Sequence, residues 1–408
     1  MIGNEPRVAT GLDRLVSEGF ARLKGRKVGL IANQSTVDRR LRHGIDLLHG
    51  ASGLELVRLF GPEHGLRGEV QDMEGVGSGT DSRTGLPIVS LYGATPDTLK
   101  PRVEDLEGLD CLIFDLQDVG ARYYTFAATM FYAMETASAA GCSFLVLDRP
   151  NPLGGVVVEG PSIQEGYESF VGAYPLPIRH GMTVGELARL FQSERQLELD
   201  LEILTCSGWT REMLWPETGL CWVPPSPNMP TFETVVVYPG GCLIEGTNLS
   251  EGRGTTRPFE NWGAPWLEGS SYGMVEELGA QPGALLRPNV FRPVFHKHSE
   301  RTCFGVQPHV VNPEVFSALD TYVLMLLLAV RAEPERFAWR TEPYEFIDAP
   351  IAIDLLFGSS EERLRIEEET QSRNLDVRAW LGGIKERWGK EVQEFLERRI
   401  SNLLYTPS

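Results

Sequence analysis

Six short apolar runs, separated by polar loops and helical stretches, constrain this chain more than any other feature. They lie at 28–32, 55–60, 87–92, 111–114, 143–147 and 201–204. Runs such as Val28-Gly29-Leu30-Ile31-Ala32 are continuous rather than alternating, the pattern of strands covered on both faces. Leu12, Leu15, Val16, Phe20 and Leu23 recur at helical spacing ahead of the first run, with Gly25 as a stop. Residues 125–140 and 183–193 read as helices, the second opening on a Thr183…Glu186 capping box. Strands that alternate with helices predict a mostly parallel α/β sheet with helices on both faces.

A proline-rich segment, Val223-Pro224-Pro225-Ser226-Pro227-Asn228-Met229-Pro230, interrupts this alternation. We expect a domain boundary there, giving a catalytic domain over 1–230 and an auxiliary domain over 231–408. The second part predicts a strand at 234–238, a glycine-rich stretch at 240–254 and a mostly helical tail. Asn312-Pro313 reads as the cap and first-turn proline of the apolar helix that follows. Residues 361–369 and 385–399 read as solvated amphipathic helices.

Composition mainly excludes partners. A net charge of −18 disfavours nucleic acid, whose binders need a basic stripe to displace counterions. It also disfavours anionic membranes, and no stretch reaches the ~18–20 apolar residues of a span. The six cysteines are scattered with no close C-x-x-C spacing, as in free thiols of a reducing compartment. Met1-Ile2-Gly3-Asn4-Glu5-Pro6 carries no basic segment leading into an apolar core, so a cytoplasmic location is expected, or an exported one if a leader has been removed.

Polar clusters follow four of the apolar runs. Ile31-Ala32 leads into Asn33-Gln34-Ser35, and Leu59-Phe60 into Gly61-Pro62-Glu63-His64-Gly65. Phe114 leads into Asp115-Leu116-Gln117-Asp118, and Leu147 into Asp148-Arg149-Pro150-Asn151. In an open parallel sheet these loops share the carboxyl edge, where ligands bind. Any one cluster could be ordinary turn chemistry; four together point to a binding edge. No G-x-G-x-x-G follows the first strand, and no P-loop, G-x-S-x-G elbow or H-E-x-x-H occurs. Gly75-Val76-Gly77-Ser78-Gly79 reads as a loop, and His296 and His298 as packing or surface residues rather than metal ligands. The site is therefore expected to need no cofactor and no metal.

Carboxylates, aromatics, arginines and amides remain, which is equipment for sugar chemistry. Glycoside cleavage needs one carboxylic acid to protonate the leaving oxygen and a second group to stabilise or attack the sugar cation. Glu63, in a loop stiffened by Pro62 and flanked by Gly61 and Gly65, can be held and desolvated as a general acid requires. It could instead pair with Arg67 or His64.

Several long motifs resemble one family. They are Gly61-Pro62-Glu63-His64-Gly65-Leu66-Arg67-Gly68, Asp115-Leu116-Gln117-Asp118-Val119-Gly120-Ala121-Arg122-Tyr123-Tyr124-Thr125, Asp148-Arg149-Pro150-Asn151-Pro152, Glu159-Gly160-Pro161, Pro225-Ser226-Pro227-Asn228, and Glu245-Gly246-Thr247-Asn248 with Ser250-Glu251-Gly252-Arg253. Together they resemble the NamZ-type exo-β-N-acetylmuramidases. The resemblance implies a Rossmann-like domain, a smaller C-terminal auxiliary α+β domain and a cleft between them. It also implies release of N-acetylmuramic acid from non-reducing ends of peptidoglycan fragments, with Glu63 as the proposed catalytic residue. Asp118, Glu159, Glu245 and Glu251 are open as the second carboxylate. Asn33, His64, Arg122, Tyr124, Asp148, Asn151, Glu159, Asn228 and Arg253 are candidates for substrate contact. Arg122 and Arg253 could recognise the lactyl carboxylate, or could brace neighbouring acids such as Asp118 or Glu251. Two rival readings stand beside this one: a non-catalytic muropeptide-binding protein, and a nucleotide-dependent Rossmann enzyme, which the missing glycine turn disfavours.

Overall fold

The computed structural model describes residues 7–68, 74–75, 77–369 and 376–405. The chain divides into two compact units. The first holds Met1–Val157, His180–Pro227 and Glu397–Ser408, and the second Val158–Arg179 and Asn228–Leu396. The chain thus crosses after Val157, Arg179, Pro227 and Leu396.

The first unit is built on strands β1 (Lys27–Ala32), β2 (Glu55–Gly61), β3 (Gly79–Thr80), β4 (Pro87–Ser90), β5 (Cys111–Asp115), β6 (Ser143–Leu147) and β7 (Leu201–Leu204). They form one sheet in the order β3-β4-β2-β1-β5-β6-β7. Every pairing is parallel except β3 with β4. Of the glycine-rich segment expected as a loop, Gly79 instead opens β3, and Val76 lies outside the described residues. Because β1 sits between β2 and β5, the connections leave it in opposite directions, which makes the crevice at its carboxyl end a topological switch point.

Helices α1 (Gly11–Ser17), α2 (Gly44–His49), α3 (Phe126–Ala140), α4 (Val184–Arg195) and α5 (Trp215–Thr218) complete this unit. Leu12 and Leu15 of α1 and Ile45 and Leu48 of α2 share a core with Val28, Leu30, Cys111, Ile113, Leu145 and Leu147. Side chains alternate along a strand, so these strand residues face one way. Gly185 at the start of α4 packs against Ile203, which faces opposite to Leu204 of that core. α3 and α4 join through Phe131 and Phe191, whose ring centroids are 5.1 Å apart. Helices therefore cover both faces, as the continuous apolar runs require. Thr183 caps α4 in the box expected, accepting from the Glu186 N–H at 3.2 Å while the Glu186 carboxylate accepts from the Thr183 N–H at 3.0 Å.

The second unit contains α6 (Phe232–Gly241), α7 (Ser271–Leu278), α8 (Ala318–Ala332), α9 (Ala352–Phe357), α10 (Glu361–Glu369) and α11 (Val377–Arg399) up to Leu396. Strands β8 (Trp262–Ala264), β9 (Ala284–Phe291) and β10 (Cys303–Val310) form an antiparallel sheet in the order β8-β10-β9. The strand expected at 234–238 is instead part of α6. Val235, Val236 and Val237 are all buried, so the run has no periodicity by which to separate a strand from a fully buried helix. Thr231 caps α6, and Gly240 lets it press on α8, since a Cβ there would lie 2.3 Å from the Ala318 carbonyl. The expected cap at Asn312 also moves. Asn312 accepts from the Glu314 N–H in a separate turn, and Ser317 caps α8 by accepting from the Asp320 N–H at 3.1 Å. Among the described residues no helix is long and apolar enough to cross a membrane.

Gly11 joins α1 to the sheet at closest range. Its N–H donates to the Asp148 carbonyl at 2.8 Å, and a Cβ would lie 2.5 Å from both the Asp148 nitrogen and the Leu204 carbonyl oxygen. Gly11→Ala is expected to force α1 off the sheet and cost about 1–3 kcal/mol, read as a fall in Tm. Gly383→Ala at an exposed position of α11, where a Cβ meets nothing within 4 Å, is expected to gain about 0.5–1 kcal/mol.

Candidate active site

Parallel pairing brings the ends of β1, β2, β5 and β6 to one edge, so Asn33, Glu63, Asp118 and Asp148 all stand there. Glu63 follows β2 in a turn closed by the Gly65 N–H donating to the Pro62 carbonyl at 2.9 Å. His64 in that turn has φ +70°, a left-handed conformation that costs a non-glycine residue energy and fixes where Glu63 points. Glu63 is 5% exposed, and its Oε2 accepts from the Thr125 hydroxyl at 2.6 Å. Arg67 does not neutralise it: its guanidinium donates to Asp81 at 2.8 Å.

Asp118 follows β5 and closes a tight turn, its Oδ2 accepting from the Gly120 N–H at 2.6 Å. Gly120 has φ +81°, and a Cβ there would meet the Asn151 Oδ1 at 2.4 Å. His180 stands beside Asp118, with Nε2 3.6 Å from Oδ2. The Met182 N–H donates to the Nδ1 of His180 at 3.2 Å, so the ring proton lies on Nε2, facing the carboxylate. Arg122 and Tyr124 in the same loop are buried, Tyr124 edge-on to Phe126.

Three further edge candidates are engaged by the protein itself. Asn33 accepts from the Ser35 N–H at 2.9 Å and hydroxyl at 2.6 Å, and donates to the Pro225 carbonyl at 3.1 Å. Asn151 accepts from the Leu153 N–H at 2.9 Å and donates to the Met182 carbonyl at 3.0 Å. Asp148 accepts from the N–H groups of Arg149 and Gly185 and the hydroxyls of Thr183 and Tyr405. Burial pushes its pKa up to about 7 against the pull of Tyr405, Gly185 and Thr183. These side chains shape the edge, tying strand ends to α4, to the proline-rich segment and to the C-terminal Tyr405.

The second unit gathers its own charged cluster. Glu245 accepts from Arg253 at 2.7 Å and from the Tyr344 hydroxyl at 2.6 Å. Glu251, fully buried, faces Lys297 at 3.0 Å, His296 at 3.0 Å and Arg253 at 3.5 Å. Burial acts to raise its pKa, but Lys297, His296 and Arg253 outweigh that and hold the carboxyl far below the usual range. A carboxylate so held cannot donate a proton near neutral pH. Arg253 also lies over the Phe259 ring, 5.1 Å from its centroid, so its geometry is that of a brace between two acids. Glu159 accepts from Arg179 at 3.2 Å, and Asn228 is buried. A groove of about 570 Å³ borders the cluster, lined by Asn248, His296, Lys297, Trp339 and Arg340 among others.

The sequence does not single out Thr125, His180, Lys297, His296 or Tyr344 as site residues. Their partners lie far off along the chain, as with Thr125 and Glu63, 62 positions apart. The His296-Lys297-His298 tripeptide was the one visible signal.

The Glu251 cluster makes a sharp stability prediction. A depressed carboxyl pKa contributes stability that is fully present above the ordinary Glu value of about 4.3 and is lost as pH falls through the folded-state pKa. Lys297→Met leaves Glu251 under-compensated and is expected to cost on the order of 3–5 kcal/mol at pH 7. That cost should shrink below about pH 4, where the variant's Glu251 takes up a proton. Denaturant unfolding at both pH values checks it.

Comparison with known proteins agrees with this architecture. Residues 28–233 match the family model for the N-terminal part of the exo-β-N-acetylmuramidase NamZ, and residues 236–405 match that for its C-terminal part. The peptidoglycan β-N-acetylmuramidase NamZ of Bacillus subtilis (strain 168) is 42% identical over 403 residues, 98% of this chain and 92% of that protein. A crystal structure of a DUF1343 family protein from Bacteroides fragilis NCTC 9343 superposes with a TM-score of 0.87 at 34% identity, covering 99% of this chain and 100% of that one. A second from the same organism gives a TM-score of 0.72 at 28% identity, over 98% and 99%. With both family models matched in order across nearly its whole length, the chain belongs to the exo-β-N-acetylmuramidase NamZ family.

Proposed function

We propose that this chain is an exo-acting glycosidase that releases N-acetylmuramic acid from the non-reducing ends of peptidoglycan fragments. The observation that carries the reading is Glu63. It is a buried carboxyl at the end of a central strand, beside the switch point, with no cationic hydrogen-bond partner among the described residues and one oxygen engaged by a hydroxyl. Glycosidic oxygen is a poor leaving group, and an acid held at that edge can protonate it as the bond breaks.

The second catalytic role goes to Asp118 in this account. Asp148 is enclosed by four donors, while Glu245 and Glu251 are tied to cations. Asp118 has the Nε2 of His180 3.6 Å from its Oδ2 and an Oδ1 with no protein partner among the described residues. With no arginine or lysine paired to it among the described residues, its charge is available to steady the positive character that develops on the sugar ring. Muramic acid carries a lactyl carboxylate that N-acetylglucosamine lacks. Arg122, buried in the same loop as Asp118, is the arginine we assign to it.

Two substrates test the acid. Glu63→Gln should lower turnover of the natural disaccharide by at least about 10²-fold. It should lower turnover of an aryl N-acetylmuramide with a good leaving group far less, since that bond needs little protonation. Equal losses on both would make Glu63 a base, nucleophile or positioning group. Selectivity tests the arginine. Arg122→Met should cost more against an aryl N-acetylmuramide than against the matching N-acetylglucosaminide, and equal losses would remove Arg122 from lactyl recognition.

A further inference from the structure

Thr125 stands immediately before α3, where a threonine ordinarily caps the helix. A capping threonine takes extended backbone angles and accepts a hydrogen bond from an N–H of the first turn. Thr125 does neither. Its φ and ψ are −64° and −11°, and its side chain makes no capping bond. Its carbonyl accepts from the Thr129 N–H at 2.9 Å, so the helix starts properly without the hydroxyl. The hydroxyl instead reaches Glu63 Oε2 at 2.6 Å, between two side chains that are both buried. That bond links the loop after β2 to the loop after β5, and these strands flank β1 on either side.

Hydrogen-bond accounting fixes its direction. Among the described residues the Thr125 hydroxyl has no acceptor other than Glu63. Were Glu63 to hold its proton on Oε2 and donate, the hydroxyl hydrogen would be buried without a partner, at the desolvation cost of an unmade bond. Thr125 therefore donates, Oε2 accepts, and the proton of the acid form sits on Oε1.

We infer that Thr125 is the positioning residue of the catalytic acid: its hydroxyl clamps one oxygen of Glu63 so that the proton is presented from the other. The inference rests on the reading of Glu63 as general acid. It assigns Thr125 a role through Glu63 and no contact with the reacting atoms. A residue of this kind affects turnover more than binding, and its effect follows the hydroxyl rather than the shape of the side chain.

Thr125→Val keeps the shape and removes the hydroxyl; Thr125→Ser keeps the hydroxyl. Thr125→Val should lower kcat on the disaccharide by about 10- to 100-fold with KM little changed, the effect of losing one hydrogen bond to an ionisable group. Its loss on an aryl N-acetylmuramide with a good leaving group should be much smaller. Thr125→Ser should stay within about threefold of the parent on both, at the level expected for an intact hydroxyl. The Glu63→Gln/Thr125→Val double variant should be no worse than Glu63→Gln alone, and this comparison holds even if Thr125→Val is less stable. Undiminished kcat in Thr125→Val, equal damage by serine and valine, or additive losses in the double variant would each overturn the inference. Full turnover by Glu63→Gln would take down the acid reading and this inference together. An inactive Glu63→Gln beside an unimpaired Thr125→Val would overturn the inference alone.

Discussion

A parallel sheet buried on both faces leaves its polar side chains one place to gather: the edge where the strands end. Burial of Val28, Leu30, Ile31, Leu112, Ile113, Leu145 and Val146 leaves no room for an unpaired carboxylate in the middle of the sheet. Acidic groups therefore collect at its carboxyl edge, with Asp115 as the last residue of β5 and Glu63, Asp118 and Asp148 just past the strand ends. The strand order places β1 between the two directions of chain travel, so the loops after β2 and β5 can meet across its end. The bond between Thr125 and Glu63 is that meeting.

The buried carboxylates then sort by what faces them. Asp115 is matched by Arg149 at 2.5 Å, and the same guanidinium reaches the Val37 carbonyl, binding the ends of β5 and β6 to the loop after β1. Asp148 sits among four donors and anchors Tyr405, whose hydroxyl also accepts from the Cys206 N–H at 2.7 Å. Glu251 is locked by cations. Each is a structural acid, because its charge or its proton is balanced by the protein. Glu63 accepts from the Thr125 hydroxyl and Asp118 from the Gly120 N–H, and among the described residues neither is paired with an arginine or lysine.

Much of this was legible in the residues. The strands at Ser143–Leu147 and Leu201–Leu204 and the helix at Glu361–Glu369 have the bounds their patterns predict. Apolar runs ended by polar residues are local signals. α6 was not legible, because a run buried on every side has no periodicity to separate helix from strand. β9 and β10 were hidden by Pro288 and Pro308, which argue against a strand until the pairing of Pro308 with Leu286 and of Val306 with Pro288 is seen. At the site, Glu63 and Asp118 announce themselves in loops shaped by glycine and proline. Thr125, His180 and Lys297 do not, since what distinguishes them is a partner brought close only by the fold.

Exo-acting removal of N-acetylmuramic acid is tested most directly by the first product formed from a defined glycan. A peptidoglycan tetrasaccharide with N-acetylmuramic acid at its non-reducing end, followed over time by mass spectrometry, should yield free N-acetylmuramic acid and a trisaccharide as the first products. Glu63→Gln should leave the tetrasaccharide intact over the same period. Release of disaccharides first, or no cleavage by the parent protein, would contradict the account.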